Sequence, residues 1–205
     1  MQRSEEIRLI ESAARGDRGA AAALVRAHQG SVYAYILRLS GRPDVAEDVV
    51  QDAFVRALTN LQRFDSRFRF STWIFTIARR LYLNLRERKS ARTGVEMDAT
   101  QRAPAAGATI LTQDRDVVRD TLQRALLELS DEQREVVVLF HQHGWPIALV
   151  AQHLDMPVGT VKSHLHRGRQ RLRELLERQP AFRGAGIVPD SWLGSGVAQS
   201  TEARA

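Results

Sequence analysis

The chain has 205 residues, 43% of them hydrophobic and 26% charged, with 30 Lys and Arg against 24 Asp and Glu for a net charge of +6. It contains no cysteine, which excludes disulfides, thiolate metal centres, cysteine nucleophiles and thiol redox sensing by this chain. No apolar run approaches the roughly 18 residues needed to span a bilayer, and the opening MQRSEEIRLIESAARGD is charged throughout, unlike a signal peptide. No membrane insertion and a cytoplasmic location are therefore expected.

Apolar residues recur at three- and four-residue spacing through most of the chain, and no alternating stretch argues for a strand. The expected fold class is all-α. Ser4 can cap a first helix to about residue 15, and a second runs from about 18 to 39, ended by Ser40-Gly41-Arg42-Pro43. Asp44 opens a third, to about Leu61, and Ser71 or Thr72 a fourth, to about Arg92. Residues 93–113, TGVEMDATQRAPAAGATILTQ, lose the period and are rich in small residues, Thr, Gly and Pro, as a flexible linker would be. Two small helical domains, 1–92 and 114–178, are expected on either side of it. Helices of the second span about 114–128, 131–143, 147–154 and 158–178, with Ser130 and Gln133 as a capping box and Pro146 suited to a first turn. Residues 179–205 read as a mobile tail, with IVPDSWL as its sticky patch.

The stretch PIALVAQHLDMPVGTVKSHLHRGRQRLRELL carries a helix-turn-helix pattern. Ile147, Val150, Ala151 and Leu154 form one apolar face, a three-residue turn follows, and Val161, Leu165, Leu172 and Leu176 continue at helical spacing. Burying that stripe fixes the opposite one as Lys162, Ser163, His166, Arg167 and Gln170. Those are side chains that read base edges in a major groove. Six Lys or Arg against two Glu over residues 158–178 add the local charge that binding to duplex DNA needs. Arg169, Arg171 and Arg173 are expected to meet phosphates or a protein partner. Gly168 sits mid-helix, which either close packing or simple tolerance explains. The pairs His141/His143 and His164/His166 do not form a metal site, because residues two apart on a helix diverge; no metal and no cofactor are expected.

In the first block the third helix is expected to bury Val45, Val49, Val50, Phe54, Ala57 and Leu61. This leaves Asp44, Glu47, Asp48, Gln51 and Asp52 outward, with Arg56 the only cation. Such a face suits a basic protein partner. Residues 62–92 then hold nine Lys or Arg against two acids, interleaved with Phe64, Phe68, Phe70, Trp73, Phe75 and Tyr82. Cations that follow phosphates and aromatics that receive unstacked bases are the chemistry of single-strand binding. Trp73, Ile74, Ile77, Leu81 and Leu85 are expected in the core, and the loop from Phe64 to Phe70 is the better place for base capture. No carboxylate pair, nucleophile with its base, or phosphate loop points to an enzyme.

DVVQDAFVRAL, RFDSRFRFSTWIFTIARRL, LQRALLELSDEQREVVVL and VAQHLDMPVGTVKSHLHRGRQRLREL, in that order around a linker, resemble bacterial RNA polymerase sigma factors of the extracytoplasmic-function class. The resemblance covers residues 4–178. It implies that 1–92 grips the clamp helices of core RNA polymerase and opens the minus-10 element, and that 114–178 reads the minus-35 duplex and sits on the polymerase flap. Asp48, Gln51 and Asp52, with Val55 beside them and Phe54 as packing support, fall on the clamp-binding motif. Arg56, Asn60, Phe64, Ser66 and Phe68 fall around a pocket for a flipped minus-10 base, and Lys162, Ser163, His166, Arg167 and Arg171 on the minus-35 reader. Arg80 stands where the family commonly has Asn, and Asn84 where Asp is frequent; both fall near the single-strand path, so base preference does not carry over. Promoter DNA, double- and single-stranded, and an anti-sigma factor are the further implied partners. A decoy that sequesters an anti-sigma factor would not need the basic, aromatic 62–92 segment. A regulator using only the helix-turn-helix would not need the acidic face.

Overall fold

The computed structural model describes residues 2–93 and 110–179, and every regular element among them is helical. The chain divides into two compact units, Met1–Pro104 and Ala105–Ala205. Most of the expected linker, and the expected tail beyond residue 179 with its IVPDSWL patch, lie outside the described residues.

The first unit holds α1 (Arg3–Ala14), α2 (Arg18–Ser40), α3 (Pro43–Thr59), a 3-10 turn (Leu61–Arg63) and α4 (Phe70–Thr93). Ser4 lies inside α1, whose N-cap is Gln2 and makes no side-chain cap. Asp17 caps α2 instead, accepting from the Gly19 and Ala20 amides at 2.8 and 3.1 Å. A hydrogen bond from the Ser12 hydroxyl, reinforced by those amides, holds the Asp17 carboxyl below the usual carboxylate range. Gly41 ends α2 at φ 68°, a left-handed conformation that glycine adopts without strain. Pro43 then starts α3 in its first turn, where a missing N–H costs nothing. That helix stops at Thr59, short of Leu61. The Thr59 hydroxyl and Asn60 amide turn back onto the carbonyls of Val55 (2.7 Å) and Arg56 (2.8 Å), and the chain tightens into the 3-10 turn.

Three alanines of α3, Ala46, Ala53 and Ala57, are fully buried beside Val45 and Val49, so this helix packs closely through small side chains. Val50, expected inside, is only half-buried. The inward stripe of α4 is Phe70, Ile74, Phe75, Ala78 and Tyr82, while Trp73, Ile77, Leu81 and Leu85 are half-buried. The expected register is thus rotated. Phe75 stacks on Tyr35 of α2 at 4.9 Å, and the Tyr82 hydroxyl donates to the Leu39 carbonyl at 3.2 Å. Phe70, Phe75 and Tyr82 are core residues rather than surfaces for bases.

The second unit holds α5 (Ile110–Leu127), α6 (Asp131–Val137), a π-helical turn (Val138–Gln142), α7 (Ile147–Leu154) and α8 (Val158–Glu177). Helix α5 begins at 110, four residues before the expected start. Ser130 caps α6 by accepting from the Gln133 amide at 3.3 Å. Arg134, buried at 6% exposure, donates to the carbonyls of Leu126, Leu127 and Leu129 at 2.9 to 3.0 Å. One cation thus gathers carbonyls at and just beyond the end of α5, Leu126 also accepting from the Leu129 amide at 3.2 Å, and complements the helix dipole. The single helix expected over 131–143 widens into the π turn at Val138, which brings Phe140 and His141 toward α8.

Asp155 leaves α7 in the left-handed region, φ 54°, Met156 donates back to the Ala151 carbonyl at 2.9 Å, and Pro157 is the N-cap of α8. These are the three turn residues expected between the two helices. The core behind them is Val136, Val137, Leu139, Val150, Val161, Leu165, Leu172 and Leu176. Gly168 is buried, and a Cβ there would meet Val137 Cγ2 at 2.8 Å. Close packing, not tolerance, explains the glycine.

Candidate nucleic-acid interface

Helix α8 presents Lys162, Ser163, His166, Arg167, Gln170 and Arg171 to solvent, with Val161, Leu165, Gly168 and Leu172 buried behind them. The order follows from the i, i+3, i+4 geometry of one helix. The Ser163 hydroxyl donates to the Gly159 carbonyl at 2.9 Å, and Arg167 Nε donates to the Ser163 carbonyl at 3.4 Å. Arg171 and Arg173 stay exposed in ion pairs with Glu174 (3.4 Å) and Glu177 (2.6 Å). Arg169 departs from expectation. Its Nε donates to His141 Nε2 at 2.9 Å and its guanidinium lies 5.2 Å from the Phe140 ring centroid, so it braces the π turn against α8. Burial, with that guanidinium alongside, pushes His141 down to about 4, and burial alone pushes His143 down to about 4. Among the described residues no three metal-binding side chains gather.

In the first unit, Asp48, Gln51, Asp52 and Val55 are all exposed on one face of α3, and Val55 is an exposed large apolar side chain at 58%. On the same face Arg42 Nε donates to Asp44 at 3.1 Å and holds its carboxyl below the usual range. The face thus sets one exposed apolar side chain among exposed carboxylates.

Beyond α3, Arg56 is exposed and Asn60 half-buried with its amide occupied on the Arg56 carbonyl. Phe64 packs against Trp73 at 5.1 Å and Phe70 at 6.0 Å, in an aromatic cluster that His28 joins at 5.3 Å from Phe70. Ser66 is exposed, and Asp65 accepts from both the backbone and the Nε of Arg67 at 2.9 Å, folding the loop tip tightly. Phe68 is 48% exposed. Of the six aromatics in this cationic stretch it alone is open to solvent, while Phe64 and Trp73 show an edge. Arg80 and Asn84 are exposed on α4, but at 1.5 Å rise per residue they stand about 15 and about 21 Å along the helix from Phe70. The loop and these two polar residues are separate parts of the surface. Sequence reasoning missed Arg134 and the bracing role of Arg169, for which a basic residue in a helix gives no local signal.

A helical unit with a basic, solvent-facing helix, and another with an acidic face and an aromatic, cationic loop, have the surfaces suited to a DNA-binding protein that also engages a protein partner. Residues 24–92 match Sigma-70 region 2 and residues 119–172 match Sigma-70, region 4. The ECF RNA polymerase sigma factor SigW of Bacillus subtilis is 32% identical over 176 residues, covering 82% of this chain and 94% of that protein. SigL of Mycobacterium tuberculosis, also an ECF sigma factor, is 34% identical over 172 residues, 79% of this chain and 94% of that one. Among solved structures, CnrH in complex with the cytosolic domain of CnrY has a TM-score of 0.63 at 27% identity, covering 84% of this chain and 97% of that one. The sigma factor RpoE in complex with the anti-sigma factor NepR, from Bartonella quintana, has a TM-score of 0.62 at 28% identity, covering 76% and 95%. The chain belongs to the ECF RNA polymerase sigma factors, and directs RNA polymerase to promoters. Sigma factors are non-catalytic initiation factors. Among the described residues no helix is long and apolar enough to cross a membrane.

Proposed function

We propose that the two units divide promoter recognition between them in the cytoplasm, with no reaction catalysed by the chain itself. Asp48, Gln51, Asp52 and Val55 of α3 hold the clamp of core RNA polymerase, while the second unit also sits on the flap. Lys162, Ser163, His166, Arg167 and Arg171 read the minus-35 duplex. The loop around Phe64, Ser66 and Phe68, with Arg56 and Asn60 at its root, captures a base of the melted minus-10 element, and Arg80 and Asn84 line the path of the single strand further along α4. The observation that carries this reading is α8, where every assigned reader is exposed and every residue behind it is buried. The two solved structures named above are complexes, one with an anti-sigma factor and one with the cytosolic domain of CnrY, which supports an anti-sigma factor as a further partner of this chain.

The test is transcription with purified core polymerase from promoters selected out of random DNA by the reconstituted holoenzyme. Arg167→Ala is expected to weaken binding to the selected upstream sequence by about 1 to 3 kcal/mol. Equal loss on scrambled DNA would reduce Arg167 to a phosphate contact, and failure of the chain to bind core polymerase would overturn the whole reading.

A further inference from the structure

Helix α1 precedes the region 2 match, which begins at residue 24, and nothing in promoter recognition as described above uses it. Yet α1 carries a buried carboxylate, Glu6, only 3% exposed. Its Oε2 accepts from Arg3 at 3.2 Å and lies 3.8 Å from Arg69 Nη1. Its Oε1 faces His28 Nε2 of α2 at 4.0 Å, a buried nitrogen with no hydrogen bond of its own. Arg3 is forked, and its other nitrogen donates to the Ser66 carbonyl.

One carboxylate therefore reaches the loop at two points. It meets Arg69, the residue before α4, directly, and it meets Ser66 through Arg3. Arg67 and Phe68 lie between these points, and both are exposed. A loop pinned on both sides of its outward-facing aromatic presents that ring in one orientation, and orientation is what a base-stacking contact requires. Burying a carboxylate is unfavourable unless cations surround it. Here two arginines do, and both are tied to the loop.

We propose that Glu6, acting with Arg3, is a positioning residue for the base-capturing loop, so that α1 sets the presentation of Phe68 to the melted strand. This rests on the reading of that loop given above. Glu6 touches no DNA. It fixes the frame within which Ser66 and Phe68 do.

The experiment uses the full chain assembled with core polymerase and promoter templates already unpaired across the minus-10 element, so that capture is measured apart from melting. Wild type, Glu6→Gln and Arg3→Ala are compared for core affinity and for the ratio of binding to the selected minus-10 sequence over one substituted at the captured base. Glu6→Gln keeps the size of the side chain and removes its charge; Arg3→Ala cuts the tether to Ser66 and leaves Glu6. Both are expected to keep core affinity and to lose selectivity on the order of tenfold. If Glu6→Gln fails to fold, Arg3→Ala, whose side chain is partly exposed, decides alone. Unchanged selectivity in the folded variants, or a fall in core affinity that accounts for all of the loss, overturns the proposal while leaving base capture by the loop intact. A wild-type holoenzyme without minus-10 selectivity overturns the loop's role, and this inference with it.

Discussion

Gly168 of α8 faces Val137 of α6 so closely that an added Cβ would lie 2.8 Å from the valine Cγ2 and 3.4 Å from the Gln133 carbonyl. Valine is stiff about χ1 and this one is 1% exposed, so neither side can yield cheaply. The cost of about 1 kcal/mol that glycine imposes on a helix is outweighed by the overpacking of about 1 to 3 kcal/mol that alanine would cause. Gly168→Ala is therefore expected to lower the denaturation midpoint of the second unit, against the usual trend for this substitution. Adding Val137→Ala should recover part of the loss, and strict additivity of the two would show that the contact does not matter.

Arg134 is the cation whose removal should be felt most in the second unit. Arg134→Met removes the guanidinium from three carbonyls, of which Leu126 keeps the Leu129 amide, and a loss of about 3 kcal/mol is expected in urea denaturation. A loss no larger than that of an exposed arginine, such as Arg178, would show that water replaces the guanidinium freely.

The second unit should weaken in mild acid. His141 and His143 are held down to about 4 in the fold but return to about 6.5 when unfolded. Between those values the unfolded chain takes up protons that the folded chain refuses. Their contribution is complete above about pH 6.5 and disappears as pH falls through about 4. Melting temperatures between about pH 7 and about pH 4.5 should fall less in a His141→Gln, His143→Gln double variant than in wild type. Imidazole resonances titrating near 6.5 in the folded protein would contradict this.

Phe68 and Phe75 should separate function from stability. Phe75→Ala empties a site stacked on Tyr35 and is expected to cost about 3 to 5 kcal/mol. Phe68→Ala removes a half-exposed ring and should change stability by about 0.5 kcal/mol or less. Its effect is expected in promoter opening, where one lost base stack is worth about 1 to 3 kcal/mol, read as permanganate reactivity of the melted strand. Normal opening by Phe68→Ala would remove it from the capture site.

Charge reversal on α3 tests the proposed polymerase face alone. Asp52→Lys is expected to weaken core binding on the order of tenfold and to steepen no salt dependence of duplex binding, because α8 is untouched. Loss of duplex affinity in the same variant would mean that the units do not work separately.

The sequence announced the helix-turn-helix well because each helix is apolar on one side only, so the three- and four-residue spacing has one solution. For α8 that solution assigns all four buried leucine and valine positions, and Lys162, Ser163, His166, Arg167 and Gln170 of its opposite stripe are exposed. Helix α4 was harder. Trp73, Ile74, Phe75, Ile77, Leu81, Tyr82 and Leu85 surround it with apolar side chains, so periodicity allows two registers, and only packing against Tyr35 and Leu39 selects one. The same ambiguity made Phe70 and Tyr82 look available to bases. The π turn was invisible because the run EVVVLFHQ reads as unbroken helix, and the α8 residue its side chains meet, Arg169, lies nearly thirty positions away. A buried arginine or glutamate leaves no trace in a hydrophobic pattern, so Arg134 and Glu6 could be found only by following their partners in space.

Helix α8 keeps the side chains proposed to read DNA and those that hold it in place on different sides. Substitution of exposed residues generally moves stability by about 0.5 kcal/mol or less, so Lys162, Ser163, His166, Arg167 and Gln170 can be exchanged in combination with little risk to the fold. A library confined to those five positions would explore upstream-sequence preference almost free of folding failures. This scaffold is thereby suited to building sets of mutually insulated promoter and factor pairs in one cell.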